Sequence, residues 1–215
     1  MHLKRQKAPK SWPIPRKGTS YVVRPTHDLN NGIPVLIVLR DMLKLTQNKK
    51  ETKKAIHAGL VLLNNKKIKD ERNSISLFDV LSIVPSKEYY RLVLTTKGKF
   101  GLEKIDEKEK EHKIIKIINK KTLKGKKTQL NLSDGRNFLS DLKCKTNDSI
   151  LLNLKENKIE KCLPFNEKAE AIIFGGKHSG KNGKINKIDL KNKIVELTYG
   201  KEKLHVLIKH LMVAK

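Results

Sequence analysis

The chain sets 48 lysines and arginines against 22 aspartates and glutamates in 215 residues, a formal charge of +26, and the excess is gathered into a few stretches. A field this strong opposes compaction of the free fold through self-repulsion, so it is best tolerated where a polyanion neutralises it. Phosphates do so with release of counterions, which makes nucleic acid the leading partner before any motif is read. Core material is modest. Hydrophobic residues are 37% and aromatics 5% of the chain, a supply that suits two or three small β-rich modules better than one deep catalytic core.

Several classes are excluded early. The longest apolar run, Pro34 to Leu39, stops at Arg40, far short of the roughly 20 residues that span a bilayer, so no membrane partner is expected. The opening Met1-His2-Leu3-Lys4-Arg5 lacks the apolar stretch of a secretory signal, and Cys144 and Cys162 stand without a paired framework. A soluble protein of a reducing, cytoplasmic setting follows. The two cysteines also lack the C-x-x-C spacing of a zinc ribbon, and no cofactor or metal is expected.

Residues 1–32 read as an extended basic arm. Its first 27 residues hold seven Lys or Arg and no acid, and Pro9, Pro13, Pro15 and Pro25 block helices and ladders. Lys4, Arg5, Lys7, Lys10, Arg16 and Lys17 are candidate RNA contacts. Trp12 can stack on a base or pack on the protein's own surface, and packing is preferred because a lone tryptophan in an aromatic-poor chain usually anchors something. The arm is expected to be disordered when free, ordering as it threads between RNA helices, so that removing residues 1–17 leaves the modules folded.

Residues 33–85 change character. Val35, Val38, Leu39, Met42 and Leu43 form one helical stripe, leaving Arg40 and Lys44 outward. A second helix is expected from about Lys49 to Ala58, capped by Thr46 or Asn48 and stopped at Gly59, with Lys49 and Lys53, and Lys50 and Lys54, spaced four apart. Leu60 to Leu63 and Ile68 then flank a hairpin turn at Asn64-Asn65, beside Lys66 and Lys67.

Residues 86–165 alternate with period two around Lys97-Gly98 and again from Lys113 onward, the pattern of a central β domain of short strands. Asp106 to Glu111 looks like an exposed connection, and Asp134-Gly135-Arg136 like a turn rather than a catalytic aspartate beside an anchoring arginine. In residues 166–215, Ala171 to Phe174 runs into Gly175-Gly176-Lys177-His178-Ser179-Gly180-Lys181-Asn182-Gly183-Lys184-Ile185, with no acid from Ala171 to Ile188. Gly175, Gly176 and Gly183 would let a sugar-phosphate chain approach, and Lys177, Lys181 and Lys184 would supply charge. The order is not that of a Walker A loop, and no helix is expected after it.

Two modules resemble known ones. Two helices and a hairpin with basic outer positions, above all Lys53 to Ile68, resemble the S-four RNA-binding domain, although Asn65 stands where that domain usually has glycine. By that resemblance Arg40, Lys49, Lys53, Lys54, Lys66 and Lys67 would contact folded RNA. The glycine-lysine loop of 175–185 resembles the KOW motif of small SH3-like barrels. Together with the opening His2 to Lys17 and Val38-Leu39-Arg40-Asp41, the whole chain resembles the archaeal and eukaryotic e-type family of small-subunit ribosomal protein four.

The resemblance implies an α+β, multi-module chain: arm 1–32, S-four-like α/β module 33–85, central β domain 86–165 and KOW-bearing SH3-like β-barrel 166–215. It implies a non-enzymatic constituent of the small ribosomal subunit that binds its ribosomal RNA, lies beside other small-subunit proteins, supports assembly and translation, and is not a homo-oligomer. Two other readings compete: an RNA-modifying enzyme guided by an S-four module, and a KOW-type transcription elongation factor. The first lacks an evident nucleophile and base, and the second leaves the arm and helical module unexplained.

Overall fold

The computed structural model of the protein describes residues 2–140, 142–200 and 202–214, with the side chain of Lys126 outside that description. Met1 and Lys215, the outer ends of the expected arm and last module, thus lie outside the described residues. Strands dominate and helix is confined to short stretches, an α+β chain of more than one module in the coarse sense expected. It divides into two compact units, Met1–Leu94 with Lys99–Glu111, and Thr95–Gly98 with His112–Lys215.

The first unit opens with β1 (Leu3–Lys4) paired antiparallel to β2 (Tyr21–Val22). Next come β3 (Gly32–Pro34), α1 (Val35–Ile37), a π turn over Val38–Met42 and α2 (Lys49–His57). Strands β4 (Val61–Leu63), β5 (Lys66–Lys67), β6 (Ser74–Ser76), β7 (Val80–Ile83), β8 (Glu88–Leu94) and β9 (Phe100–Ile105) follow. β3 pairs with β6, and the remaining five form a sheet of order β5-β4-β7-β8-β9. The expected boundary between 85 and 86 therefore falls inside a sheet: Val80 pairs with Arg91 and Leu81 with Tyr90, so β8 and β9 extend the hairpin module.

Local signals explain much of this unit. Asn48 caps α2 by accepting from Glu51 N, and the Glu51 carboxylate accepts in turn from Gln47 N at 2.6 Å. Asn64 and Asn65 adopt φ of 50° and 62°, as a tight two-residue turn requires. The first helix departs from expectation. Val35, Leu36, Ile37, Val38 and Leu39 are all 1% exposed or less, so the run is apolar on every side rather than along one stripe. It forms a single α turn, widened to a π turn that Leu43 N closes onto Val38 O at 2.9 Å.

Trp12 packs on the protein itself, as expected, but the arm departs from expectation in that its beginning is core. Leu3 and Trp12 are 5% and 2% exposed within the cluster that holds Ile33, Ile56, Leu81 and Leu92. The Trp12 indole Nε1 donates to Gly32 O at 2.9 Å, and Phe100 N donates to Ser11 O at 2.8 Å. Burying an indole with its N–H satisfied stabilises by a few kcal/mol, enough to hold a proline-rich strand that has almost no ladder of its own.

In the second unit, β10 (His112–Thr122), β11 (Thr128–Leu132), β12 (Asn137–Leu139), β13 (Ser149–Asn153) and β14 (Lys158–Leu163) form one antiparallel sheet, β12-β11-β10-β13-β14. β15 (Glu170–Ile173), β16 (Asn182–Asp189), β17 (Ile194–Tyr199), β18 (Glu202–Leu207) and β19 (Leu211–Val213) form another, β18-β17-β16-β15-β19. A buried cation joins them. Lys116, 3% exposed, donates from Nζ to Ile208 O at 2.6 Å and Leu211 O at 2.8 Å, and Val213 N donates to Ser149 Oγ at 3.0 Å. Burial pushes the Lys116 ammonium down to about 8.

Candidate nucleic-acid interface

The expected RNA contacts separate into cations the fold already uses and cations it leaves open. Arg5 belongs to the first group: its guanidinium donates to Thr19 O (2.7 Å), Thr19 Oγ1 (2.7 Å) and Pro15 O (2.8 Å), stapling the 15–19 loop to the start of the chain. Arg40 pairs with its neighbour Asp41 at 3.0 and 2.8 Å, a hydrogen-bonded contact that raises its pKa further. Lys49 and Lys53 lie 3.1 and 3.8 Å from the carboxylate of Glu71, which is 4% exposed. Lys181 reaches Glu202 at 3.5 Å and sits 4.7 Å from the centre of the Tyr199 ring.

The second group is larger. Among the described residues Lys4, Lys7, Lys10, Arg16, Lys17, Lys54, Lys66, Lys67, Lys177 and Lys184 are exposed and have no ion pair. In the arm, Lys10 and Arg16 rim a cleft of about 370 Å³ whose floor includes Pro9, Trp12 and Pro15, and Lys4 and Lys7 border a second of about 440 Å³ beside Arg24. Apolar floor and cationic rim are the two surfaces that a sugar-base and its phosphate require.

Lys54 and His57 occupy the last turn of α2. The hairpin brings Lys67 beside them, its Cε lying 3.8 Å from where a side chain on Gly59 would begin. Gly59 itself, at φ 72°, is the left-handed stop that ends the helix. Helix α2 and strand β5 thus present Lys54 and Lys67 at the same helix end.

In the glycine-lysine segment of 175–185, Lys177 in the loop after β15 and Lys184 within β16 are exposed, and the loop runs into a strand, so it opens no helix. Two of its glycines answer to the protein itself. A Cβ on Gly175 would stand 2.5 Å from His210 Nδ1, and one on Gly183 2.5 Å from Thr198 O. Close approach of the chain's own atoms is sufficient reason for glycine at both.

The opposite pattern covers β8 and β9. Lys104 pairs with Glu88 at 2.6 Å, Arg91 with Glu109 at 3.1 Å, and Lys110 with Glu107 at 2.7 Å while lying 4.6 Å from the Tyr89 ring centre. Glu107 and Glu109 of the 106–111 segment are therefore ion-pair partners, which local sequence did not disclose. Asp134 is likewise structural, since its carboxylate holds Lys113 at 3.1 Å and Arg136 at 3.3 Å and accepts from Arg136 N at 3.1 Å. No group of three or more His, Cys, Asp or Glu able to hold a metal occurs among the described residues. No helix there is long and apolar enough to cross a membrane.

Residues 86–159 match the model of the ribosomal family S4e, and residues 1–27 that of the RS4NT (NUC023) domain. Small ribosomal subunit protein eS4 of Methanothermobacter thermautotrophicus is 38% identical over 88% of this chain and 79% of its own length. The protein of the same name from Methanosphaera stadtmanae is 41% identical over 88% and 80%. The chain belongs to the S4e family of ribosomal proteins. The family resemblance read from the opening stretch is thereby confirmed. S4e proteins are ribosomal structural proteins and not enzymes, so the RNA-modifying alternative falls. The crystal structure of the 30S ribosomal protein S4e from Thermoplasma acidophilum has the same architecture, with a TM-score of 0.75 at 26% identity over 86% of this chain and 95% of that one.

Proposed function

We propose that this S4e protein is a structural constituent of the small ribosomal subunit, held in the cytoplasmic ribosome by small-subunit ribosomal RNA and by neighbouring small-subunit proteins. The observation that carries the reading is the segregation of charge: unpaired cations gather at the arm clefts, the α2–β5 end and the 174–184 segment, while the β8–β9 face neutralises itself. Counterion release from RNA rewards the first arrangement and ignores the second.

On this reading residues 1–32, 33–85 and 166–215 hold the RNA contacts, and within 86–165 strands β8 and β9 belong to the sheet of the hairpin module. The sheet β18-β17-β16-β15-β19 serves as an SH3-like barrel and its 174–184 segment as a KOW element. Lys54, Lys66, Lys67, Lys177 and Lys184 contact phosphates, and Lys10 and Arg16 hold a nucleotide over Pro9 and Pro15. The test is binding of the full chain to small-subunit ribosomal RNA as a function of salt. Lys54→Glu with Lys177→Glu and Lys184→Glu should flatten the logarithmic salt slope by roughly 3, near 0.9 per phosphate contact, whereas Lys104→Ala should leave it unchanged. Equal slopes for the triple variant and the parent protein would contradict this assignment.

A further inference from the structure

One cleft of the second unit has the opposite character from the basic surfaces. The sheet β12-β11-β10-β13-β14 ends in two strands that each pair on one side only, β12 with β11 and β14 with β13. A cleft of about 540 Å³ is lined from both edges, by Phe138 and Leu139 of β12, by Leu142 just beyond it and by Ile159 of β14. Leu139 is 62% and Leu142 43% exposed. A single exposed leucine needs no explanation, but two beside a half-buried Phe and Ile, at unpaired strand edges, form the kind of surface that folded proteins normally cover.

Charge narrows what covers it. Lys127, on one wall, is exposed and has no ion pair among the described residues. On the other wall Lys158 reaches Glu156 at 3.5 Å, but the two side chains are 77% and 61% exposed, so water and salt screen the pair. Glu160, the acid among the described lining residues, already accepts from Asn153 Nδ2 at 2.8 Å. Among the described lining residues an incoming carboxylate therefore meets two exposed ammonium groups and one acid that already accepts a hydrogen bond.

We propose that this cleft docks an extended segment of another protein chain. The segment adds as a strand to the β12 edge, buries alternate aliphatic side chains against Phe138, Leu139, Leu142 and Ile159, and sets a carboxylate opposite Lys127 and Lys158. Strand addition satisfies edge N–H and C=O groups while its side chains fill the apolar lining. RNA would satisfy the lysines alone, leaving two leucines against a charged backbone with no gain from their burial. The inference goes beyond the ribosomal reading, which bears only on where the neighbour resides.

The test places benzoylphenylalanine at Leu139, and separately at Leu142, in the full chain and irradiates intact cells, so that an adduct forms wherever the protein resides. Substitution at Leu190, 72% exposed and outside the cleft, is the control. The expected product is one adduct to a single extended segment of another protein, with alternating aliphatic residues and a flanking acid, absent from the Leu190 variant. Lys127→Glu with Lys158→Glu should cut its yield by about tenfold, equivalent to 1.4 kcal/mol of binding. An adduct to RNA, adducts within the protein's own chain only, or a scatter of proteins equal to the Leu190 control would each overturn the proposal. Sedimentation of the adduct with the small subunit is scored separately and bears on the ribosomal reading alone.

Discussion

Lys49 Nζ stands 3.1 Å from the carboxylate of Glu71, a buried acid that reaches it from beyond the β4–β5 hairpin. Lys53 adds a second, longer contact at 3.8 Å. The basic helix α2 therefore has two kinds of lysine, one holding the helix to the module and one facing outward.

Lys49→Ala should cost stability, roughly 1–3 kcal/mol, because it removes the nearer partner of a buried carboxylate. Lys54→Ala should stay within about 0.5 kcal/mol of the parent protein and instead flatten the RNA salt slope by about 1. Urea unfolding and salt-dependent RNA binding separate the two. Interchanged effects, with Lys54 governing stability, would refute the division.

Trp12→Ala should destabilise the first unit by roughly 3–5 kcal/mol, the cost of emptying a large buried site. Removing residues 1–17 should do at least as much, since Leu3, Trp12 and the Arg5 staple leave together. This reverses the expectation that the modules stay folded without those residues. Thermal unfolding of the truncated chain checks it, and an unchanged midpoint would show that the opening stretch is not core.

What could be read from the sequence, and what could not, follows the range of the interactions. The Asn48 cap, the Gly59 stop and the Asn64-Asn65 turn were legible because each depends on residues within one turn. The opening stretch was legible as a family mark. Glu71 under Lys49, Thr19 under Arg5 and Ile208 over Lys116 were not, because each pairing joins residues far apart in the chain. Nor did period two in β8 and β9 reveal which sheet they would join. Pairing was hidden for the same reason: nothing local sets Arg5 and Lys53 apart from Lys7 and Lys54.

Lys116 provides a pH signature. Its folded pKa, about 8, lies below the ordinary lysine value of 10.5. The unfolded chain therefore binds more protons between these values, and this residue's contribution to stability rises with pH from about 8 to 10.5. Below pH 8 both states are protonated and the burial penalty, on the order of 3 kcal/mol, is fully present. Denaturant unfolding across this window should show the rise in the parent protein and lose it in Lys116→Met. An identical pH profile in both would refute the assignment.

Arg5→Lys tests the staple. One ammonium cannot reproduce a planar fork that binds Thr19 and Pro15 together. Cleavage by trypsin after the exposed Arg16 and Lys17 should accelerate several-fold as the loop loosens, since proteolysis tracks local opening. Unchanged cleavage would mean that the loop is held by other contacts.

The central claim is tested most directly by sedimenting a native extract through sucrose at moderate and at high salt while following this protein. The account predicts co-migration with the small subunit and with monosomes, resistant to moderate salt and lost only under stripping conditions, as many phosphate contacts acting together require. A peak with RNA polymerase, or with free RNA away from the small subunit, would contradict it.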